Sequence, residues 1–217
     1  MEHISVTLLI IIVTCIVSFA AFSNERLMGQ LIFYPPAISE QGQWYRFFSC
    51  GLIHGDFGHL LYNMYAFYTF GEVVESTFGY IFGTALGKFL YLLLYVSALL
   101  VCLLPTYMKN KDNYAYQSLG ASGAVSAIVF VSILLLPTAE IGLIFIPFLS
   151  LPSFVFGVIY LIITAYLDRR GSSRINHSAH LYGGLYGITF IIVATLLLSH
   201  FNVLAQFILQ VRSYFQI

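Results

Sequence analysis

Charged residues are scarce in this chain, which has nine basic and nine acidic side chains in 217 residues, or 8%. Soluble domains carry roughly 25% charged residues, so the composition argues against a soluble protein. The formal net charge is zero, and no basic cluster indicates a nucleic-acid partner. Cys15, Cys50 and Cys102 are odd in number and lack metal-ligand spacing, which argues against a disulfide framework or a zinc site. No metal or cofactor is indicated.

Apolar residues make up 59% of the chain instead, and they cluster in six stretches nearly free of charge. These stretches predict an all-α membrane protein with a bundle of six transmembrane helices in one domain, residues 1–200. The N-terminus lacks the basic segment of a cleavable signal peptide, so the first stretch is expected to remain as a span. The stretches are Ile4–Phe22, Gly58–Val74, Phe89–Leu104, Ser122–Leu136, Ser153–Leu167 and Leu181–Ser199.

Three other segments are not expected to cross the bilayer. Ile141–Leu151 is too short and contains or adjoins two prolines, so it is predicted to be a half-buried connection. The glycines of Gly79–Gly87 predict a turn. The tail, residues 201–217, has apolar residues at helical spacing with only Arg212 charged, which predicts a helix lying along the membrane interface.

A serine and a histidine are the chemically capable residues of this apolar chain. Ser122 lies in Gly120-Ala121-Ser122-Gly123 at the entrance of the fourth stretch, and His180 opens the sixth. With six spans, the N-termini of spans two, four and six lie on the same side of the membrane. The two side chains are therefore expected to meet as a nucleophile and its base. His177 is a competing base, placed by this division in a loop.

The same side of the membrane receives polar residues from the second span. His59 and Asn63 are four residues apart, so they share a helix face, and both can donate a hydrogen bond to a developing oxyanion. The alternative is that they cap the helix or join helices. Asp56 is expected to be an N-cap. Free N–H groups at the start of the fourth span would also favour negative charge near Ser122.

Small residues on the sixth span indicate that it packs closely against the fourth span. Gly183 and Gly187 have the small-xxx-small spacing that lets helices pack closely. If this face packs on the fourth span, where Ser126 and Ala127 are small, His180 comes within hydrogen-bond reach of Ser122.

Together these motifs resemble the rhomboid family of intramembrane proteases. The resemblance implies a six-helix membrane fold with a Ser122–His180 dyad and no catalytic aspartate. It also implies an oxyanion hole from the Ser122 N–H, His59 and Asn63, a turn shaped by Gly120, and structural roles for Arg46 and Glu75. The resemblance rests on Trp44-Tyr45-Arg46, the pattern His54, His59 and Asn63, Gly120–Gly123 and Ala179–Gly183.

Two positions depart from the family pattern. The usual Trp-Arg pair is split by Tyr45, and Ser126 occupies the position of a frequent tyrosine that stacks on the base. The departure at Ser126 leaves the imidazole less clearly held.

The resemblance implies that the substrates are membrane proteins whose spanning helix is weak at the cleavage site. Three alternatives remain: a catalytically inactive relative that binds membrane proteins, a small transporter, and a metalloprotease. The metalloprotease is disfavoured because this chain lacks the H-E-x-x-H motif. The transporter is weakened by the lack of evident inverted repeats and buried carboxylates.

Two arguments about orientation disagree. Seven cations fall in loops on the catalytic side and only Lys88 and Arg212 on the other, so the positive-inside rule places the active site in the cytoplasm. Similarity to bacterial six-span members implies cytoplasmic termini in the inner membrane and a site opening outward, and this orientation is favoured. The seven are Arg26, Arg46, Lys109, Lys111, Arg169, Arg170 and Arg174.

Overall fold

The computed structural model describes residues 5–142, 150–171 and 175–216, and this part of the chain is mostly helical. It also contains a 3-10 turn at Cys50–Leu52 and two short strands, β1 (Glu140–Gly142) and β2 (Ser150–Pro152). The helices are α1 (Val6–Phe22), α2 (Glu25–Leu31), α3 (Pro35–Gln41), α4 (Arg46–Ser49), α5 (Phe57–Phe82), α6 (Thr84–Val101), α7 (Leu104–Asn110), α8 (Ser122–Leu135), α9 (Ser153–Arg170), α10 (His177–Leu198) and α11 (Val203–Tyr214).

Helices α1, α5, α6, α8, α9 and α10 overlap the six apolar stretches in order. In the described residues, two helical segments are long and apolar enough to cross a bilayer by those two criteria: Thr84–Asn110, which comprises α6 and α7, and His177–Leu198. Helices α1 and α8 are apolar but shorter. The helical class is confirmed, whereas the number of spans stays a prediction.

The predicted end of the second stretch is wrong. Helix α5 continues past Val74 to Phe82, and only Gly83, with φ +82°, separates it from α6. A glycine of this segment allows two helices to pack closely, and only Gly83 forms the break between them. A Cβ added at Gly87 would come within 2.5 Å of the Phe78 carbonyl oxygen, so this glycine permits close contact between α5 and α6. The predicted turn is helical on both sides of Gly83.

Helix α8 forms the centre of the bundle. It packs against α5, α6, α9, α10 and α11, and every residue in it except Ser122 and Val129 is buried. A helix that is apolar on all sides fits such a position, because no face has to meet water. The helix that begins at Ser122 is therefore held on all sides.

Two charged side chains hold elements together, in agreement with the structural roles that the resemblance implies. The buried carboxylate of Glu75 on α5 accepts hydrogen bonds from the Val6 and Thr7 N–H groups at 2.8 and 2.9 Å, which satisfies free donors at the start of α1. The expectation that buried carboxylates are lacking is therefore wrong at Glu75, which binds backbone N–H groups. The guanidinium of Arg46 donates to the carbonyls of Gly29 and Ile32 at 3.0 and 2.7 Å, which fixes α4 against α2.

At the end opposite Ser122, a hairpin and the C-terminal helix adjoin α8 and α9. Strands β1 and β2 pair antiparallel, with Glu140 opposite Pro152, and the rest of the predicted connection lies outside the described residues. Helix α11 lies within the predicted tail, residues 201–217. Its Gln210 side chain donates to the Leu135 carbonyl at 3.3 Å, which supplies a donor to a carbonyl at the C-terminal end of α8. Its interfacial position stays a prediction.

Candidate active site

Ser122 is the first residue of α8, at the end of a turn that depends on Gly120. Gly120 has φ +105°, which L side chains rarely adopt, and its N–H donates to the Cys50 carbonyl at 2.9 Å. A hydrogen bond from the Val125 N–H to the Ala121 carbonyl, also 2.9 Å, closes the first turn. The N–H groups before it have no acceptor within the helix, so they and the helix dipole favour negative charge near Ser122.

His180 lies in the first turn of α10, and its Nε2 is 2.6 Å from Ser122 Oγ. This helix starts earlier than predicted, at His177, because the Asn176 side chain caps it by accepting a hydrogen bond from the Ala179 N–H at 3.0 Å. The assignment of His177 to a loop is therefore wrong. The predicted meeting of the serine with a histidine occurs, and His180 is the one in hydrogen-bond reach.

The glycine face of α10 brings the two helices this close. A Cβ added at Gly183 would lie 2.9 Å from the Gly123 carbonyl carbon, and one added at Gly187 would lie 2.8 Å from that of Ala127. Real Cβ atoms essentially never approach nearer than 3.0 Å. The prediction that this face packs on the fourth span is confirmed, and the contact is backbone to backbone.

His59 lies against the turn before Ser122. A Cβ added at Gly120 would lie 2.8 Å from His59 Cε1 and 2.9 Å from Nε2, so any larger residue would displace the ring. The Gly55 N–H makes a long hydrogen bond of 3.4 Å to His59 Nδ1, and we assign the ring proton to Nε2 on this basis. The predicted N-cap is confirmed, since Asp56 accepts from the His59 N–H at 2.8 Å.

Asn63 lies one helical turn after His59 and is buried. Its Nδ2 donates to the His59 carbonyl at 3.0 Å, which uses one of the two amide N–H groups. The two residues share a face, as their spacing predicts, while their part in an oxyanion hole stays a prediction.

His54 lies behind this pair and is fully buried, with its ring perpendicular to that of His59 and 4.9 Å away. Ser18 Oγ donates to the Leu52 carbonyl at 2.9 Å, so it accepts from His54 Nδ1 at 3.0 Å. Burial and, secondarily, the His59 ring lower the pKa of His54 to about 3. The ring is therefore neutral at physiological pH and supports the packing of His59.

One residue near the site, Tyr160 on α9, was not identified from the sequence. Ser126 Oγ donates to the Ser122 carbonyl at 2.9 Å and lies 2.8 Å from the hydroxyl of Tyr160 on α9. The sequence offered only a weak signal for Tyr160, a tyrosine within an apolar span, because tyrosines are numerous in this chain.

A cavity of about 330 Å³ adjoins His180 between α9 and α10. Its lining is mostly apolar, with Tyr160, Thr164 and the two histidines as exceptions, so it can accept an apolar side chain next to the Ser122–His180 pair. The lining residues are Leu151, Phe156, Ile159, Tyr160, Ile163, Thr164, Leu167, Ile175, His177 and His180.

Comparison with known proteins identifies the family of this chain. The family profile described as "Rhomboid domain" matches residues 41–197, which include all the site residues described above except Ser18. A Bacillus subtilis (strain 168) protein named "Putative rhomboid protease YdcA" is 28% identical over 144 residues, or 65% of this chain. The match spans 63% of that relative's length. Because the family profile covers well over half of the chain, this protein belongs to the rhomboid family.

Proposed function

We propose that this protein is an intramembrane serine endopeptidase with Ser122 as nucleophile and His180 as base. The observation that carries the proposal is the 2.6 Å separation between His180 Nε2 and Ser122 Oγ at the N-terminus of a buried helix. A serine hydroxyl is a weak nucleophile until an adjacent base accepts its proton. Membership in a family of intramembrane proteases supports the same chemistry.

The proposed reaction has two stages. Ser122 Oγ attacks the scissile carbonyl while its proton passes to His180 Nε2, and the imidazolium then donates that proton to the departing amine. Water next attacks the acyl ester, with His180 again accepting and returning the proton. The dyad carries out both stages without a metal or cofactor.

The oxyanion formed in each stage has donors on two sides. The Ser122 N–H belongs to the first turn of α8 and has no acceptor within the helix. On the other side, His59 carries its proton on Nε2, against Gly120, and Asn63 retains a second amide N–H. We assign these three groups to the oxyanion hole. Donors fixed in advance typically contribute about 10²–10³ in rate each.

We also propose that α1, α5, α6, α8, α9 and α10 all cross the membrane, forming one domain over residues 1–200, and that residues 201–217 form an interfacial tail. Helix α8 has 14 residues and is therefore about 21 Å long, against a hydrocarbon core of about 30 Å. If its C-terminal end reaches one interface, Ser122 lies below the opposite one. Water and substrate would then meet inside the bundle.

The orientation that we favour places both termini in the cytoplasm of a bacterial cell and the site toward the outside. Family similarity supports it, against the excess of cations on the catalytic side. A reporter active only outside the cytoplasm, fused after Gln216, should stay silent. A strong signal, together with cytoplasmic labelling of a cysteine introduced at Lys111, would show that the positive-inside rule applies.

Substrates are proposed to be membrane proteins with a helix-destabilised transmembrane segment and a small residue before the cleaved bond. Helical hydrogen bonds cover the carbonyls, so a segment must unwind before Ser122 can attack. Each helix-breaking residue such as glycine lowers that cost by about 1 kcal/mol. Leucines at those substrate positions should slow cleavage, and unchanged rates would mean that unwinding does not limit the reaction.

Labelling with a fluorophosphonate probe separates the proposed protease from an inactive binding relative and from a transporter. The purified protein should be labelled, and Ser122→Ala should abolish both labelling and cleavage of a transmembrane substrate while remaining folded. The substitution removes only a hydroxyl at the start of a helix, a change that costs about 0.5–2 kcal/mol at a cap. An inactive binding relative or a transporter would not be labelled, and cleavage by the alanine variant would refute the nucleophile.

A further inference from the structure

We propose that Tyr160 on α9 is a positioning residue for the Ser122–His180 pair, acting through Ser126. This inference rests on the proposed function and deepens it. Its basis is a pair of consecutive hydrogen bonds that joins α9 to the backbone of the nucleophile, together with the place of Tyr160 in the cavity beside His180.

The direction of these hydrogen bonds follows from their geometry. Ser126 Oγ donates its single proton to the Ser122 carbonyl at 2.9 Å, so it can only accept at the 2.8 Å contact with Tyr160. The Tyr160 hydroxyl is therefore the donor. We call this arrangement the Tyr160 relay: tyrosine hydroxyl to serine hydroxyl to Ser122 carbonyl.

The relay acts on the peptide plane next to the nucleophile. The Ser122 carbonyl and the Gly123 N–H belong to one rigid peptide group, so holding the carbonyl also fixes that N–H. The relay therefore holds the first turn of α8, which contains both Ser122 Oγ and the Ser122 N–H, the proposed oxyanion donor. A shift of this turn changes the distance between Ser122 and His180.

The ring of Tyr160 is held by its own neighbours. Phe130 on α8 packs against it with ring centroids 5.6 Å apart, and Phe156, one turn earlier on α9, lies 5.8 Å away. The ring and His180 both line the 330 Å³ cavity. Tyr160 therefore borders the cavity beside His180 from α9, while its hydroxyl reaches Ser126 on α8.

The chain offers a matched control for this relay. The Tyr186 hydroxyl on α10 donates to Ser97 Oγ at 2.7 Å, and Ser97 in turn donates to the carbonyl of Leu93, four residues earlier on α6. This second relay has the same chemistry and also joins two apolar helices, but none of its residues belongs to the first turn of α8. Tyr186→Phe therefore measures the cost of losing such a hydroxyl away from the site.

The test compares Tyr160→Phe, Ser126→Ala, their combination and Tyr186→Phe in detergent-solubilised full-length protein. Tyr160→Phe should lower both kcat for a transmembrane substrate and the rate of fluorophosphonate labelling by about three- to tenfold, the effect of one ordinary hydrogen bond, with KM unchanged. Because the two partners share one relay, the double variant should be no slower than Ser126→Ala. Tyr186→Phe should keep the wild-type rate.

Amide hydrogen exchange separates this proposal from the proposed function. Tyr160→Phe should speed exchange in residues 122–126 relative to wild type, and Tyr186→Phe should not. If the folded wild-type protein neither cleaves a substrate nor reacts with the probe, the proposed protease is overturned. Faster exchange in the Tyr160→Phe variant of that protein would still support the relay. An active wild type whose Tyr160→Phe variant keeps its kcat and its exchange rates, or loses no more than Tyr186→Phe loses, would overturn the relay.

Discussion

Replacing Gly183 by alanine introduces one methyl group where α10 and α8 approach most closely. The new Cβ would lie 2.9 Å from the Gly123 carbonyl carbon and nearer still to its oxygen, inside the 3.0 Å that real Cβ atoms respect. The obstacle is backbone on a helix that is packed on all sides, so it cannot turn away as a side chain would. Because the carbonyl oxygen lies roughly 1 Å inside that limit, helix α10 must instead retreat by roughly 1 Å.

That retreat separates the proposed dyad. Adding about 1 Å to the 2.6 Å between His180 Nε2 and Ser122 Oγ gives about 3.6 Å, which is outside hydrogen-bond range. Misplacing reacting groups by about 1 Å can cost about 10² in rate. Overpacking a core typically costs about 1–3 kcal/mol, so the variant should remain folded with a lower thermal midpoint.

The assay is cleavage of a fluorescent transmembrane substrate in detergent, with the fluorophosphonate labelling rate measured in parallel. Gly79→Ala is the matched control, because a Cβ there meets no neighbouring residue of the described chain within 4 Å. It should keep the wild-type rate and gain about 0.5–1 kcal/mol of helix stability. Wild-type cleavage by Gly183→Ala would refute the link between helix approach and dyad geometry.

Two further sets of substitutions test the site. His180→Ala should lose as much activity as Ser122→Ala, because nucleophile and base act as a unit, whereas His177→Ala should retain substantial cleavage; reversed phenotypes would identify His177 as the base. His59→Ala and Asn63→Ala should each slow cleavage by about 10–1000-fold while leaving labelling detectable, since the Ser122 N–H remains as a donor. Unchanged rates in both variants would indicate that His59 and Asn63 only cap the helix or join helices.

Local patterns were sufficient for much of the fold. Helices α1 and α8 begin and end within two residues of the predicted stretches, because an uninterrupted apolar run has few alternatives to a helix in lipid. The packing of α10 on α8 was also predictable, since the spacing of Gly183 and Gly187 places both on one face. The end of α5 was not, because the glycines after it permit helix contact as well as turns.

The sequence by itself determined the helical membrane class and the glycine turn before Ser122, because each depends on composition or on residues close together in the chain. Only the tertiary structure decided the start of α10, the contact of His180 with Ser122 and the contact of Tyr160 with Ser126. The physical reason is that a side-chain hydrogen bond needs a partner within about 3 Å. Which of sixteen tyrosines meets a serine 34 positions away depends on how α9 packs against α8.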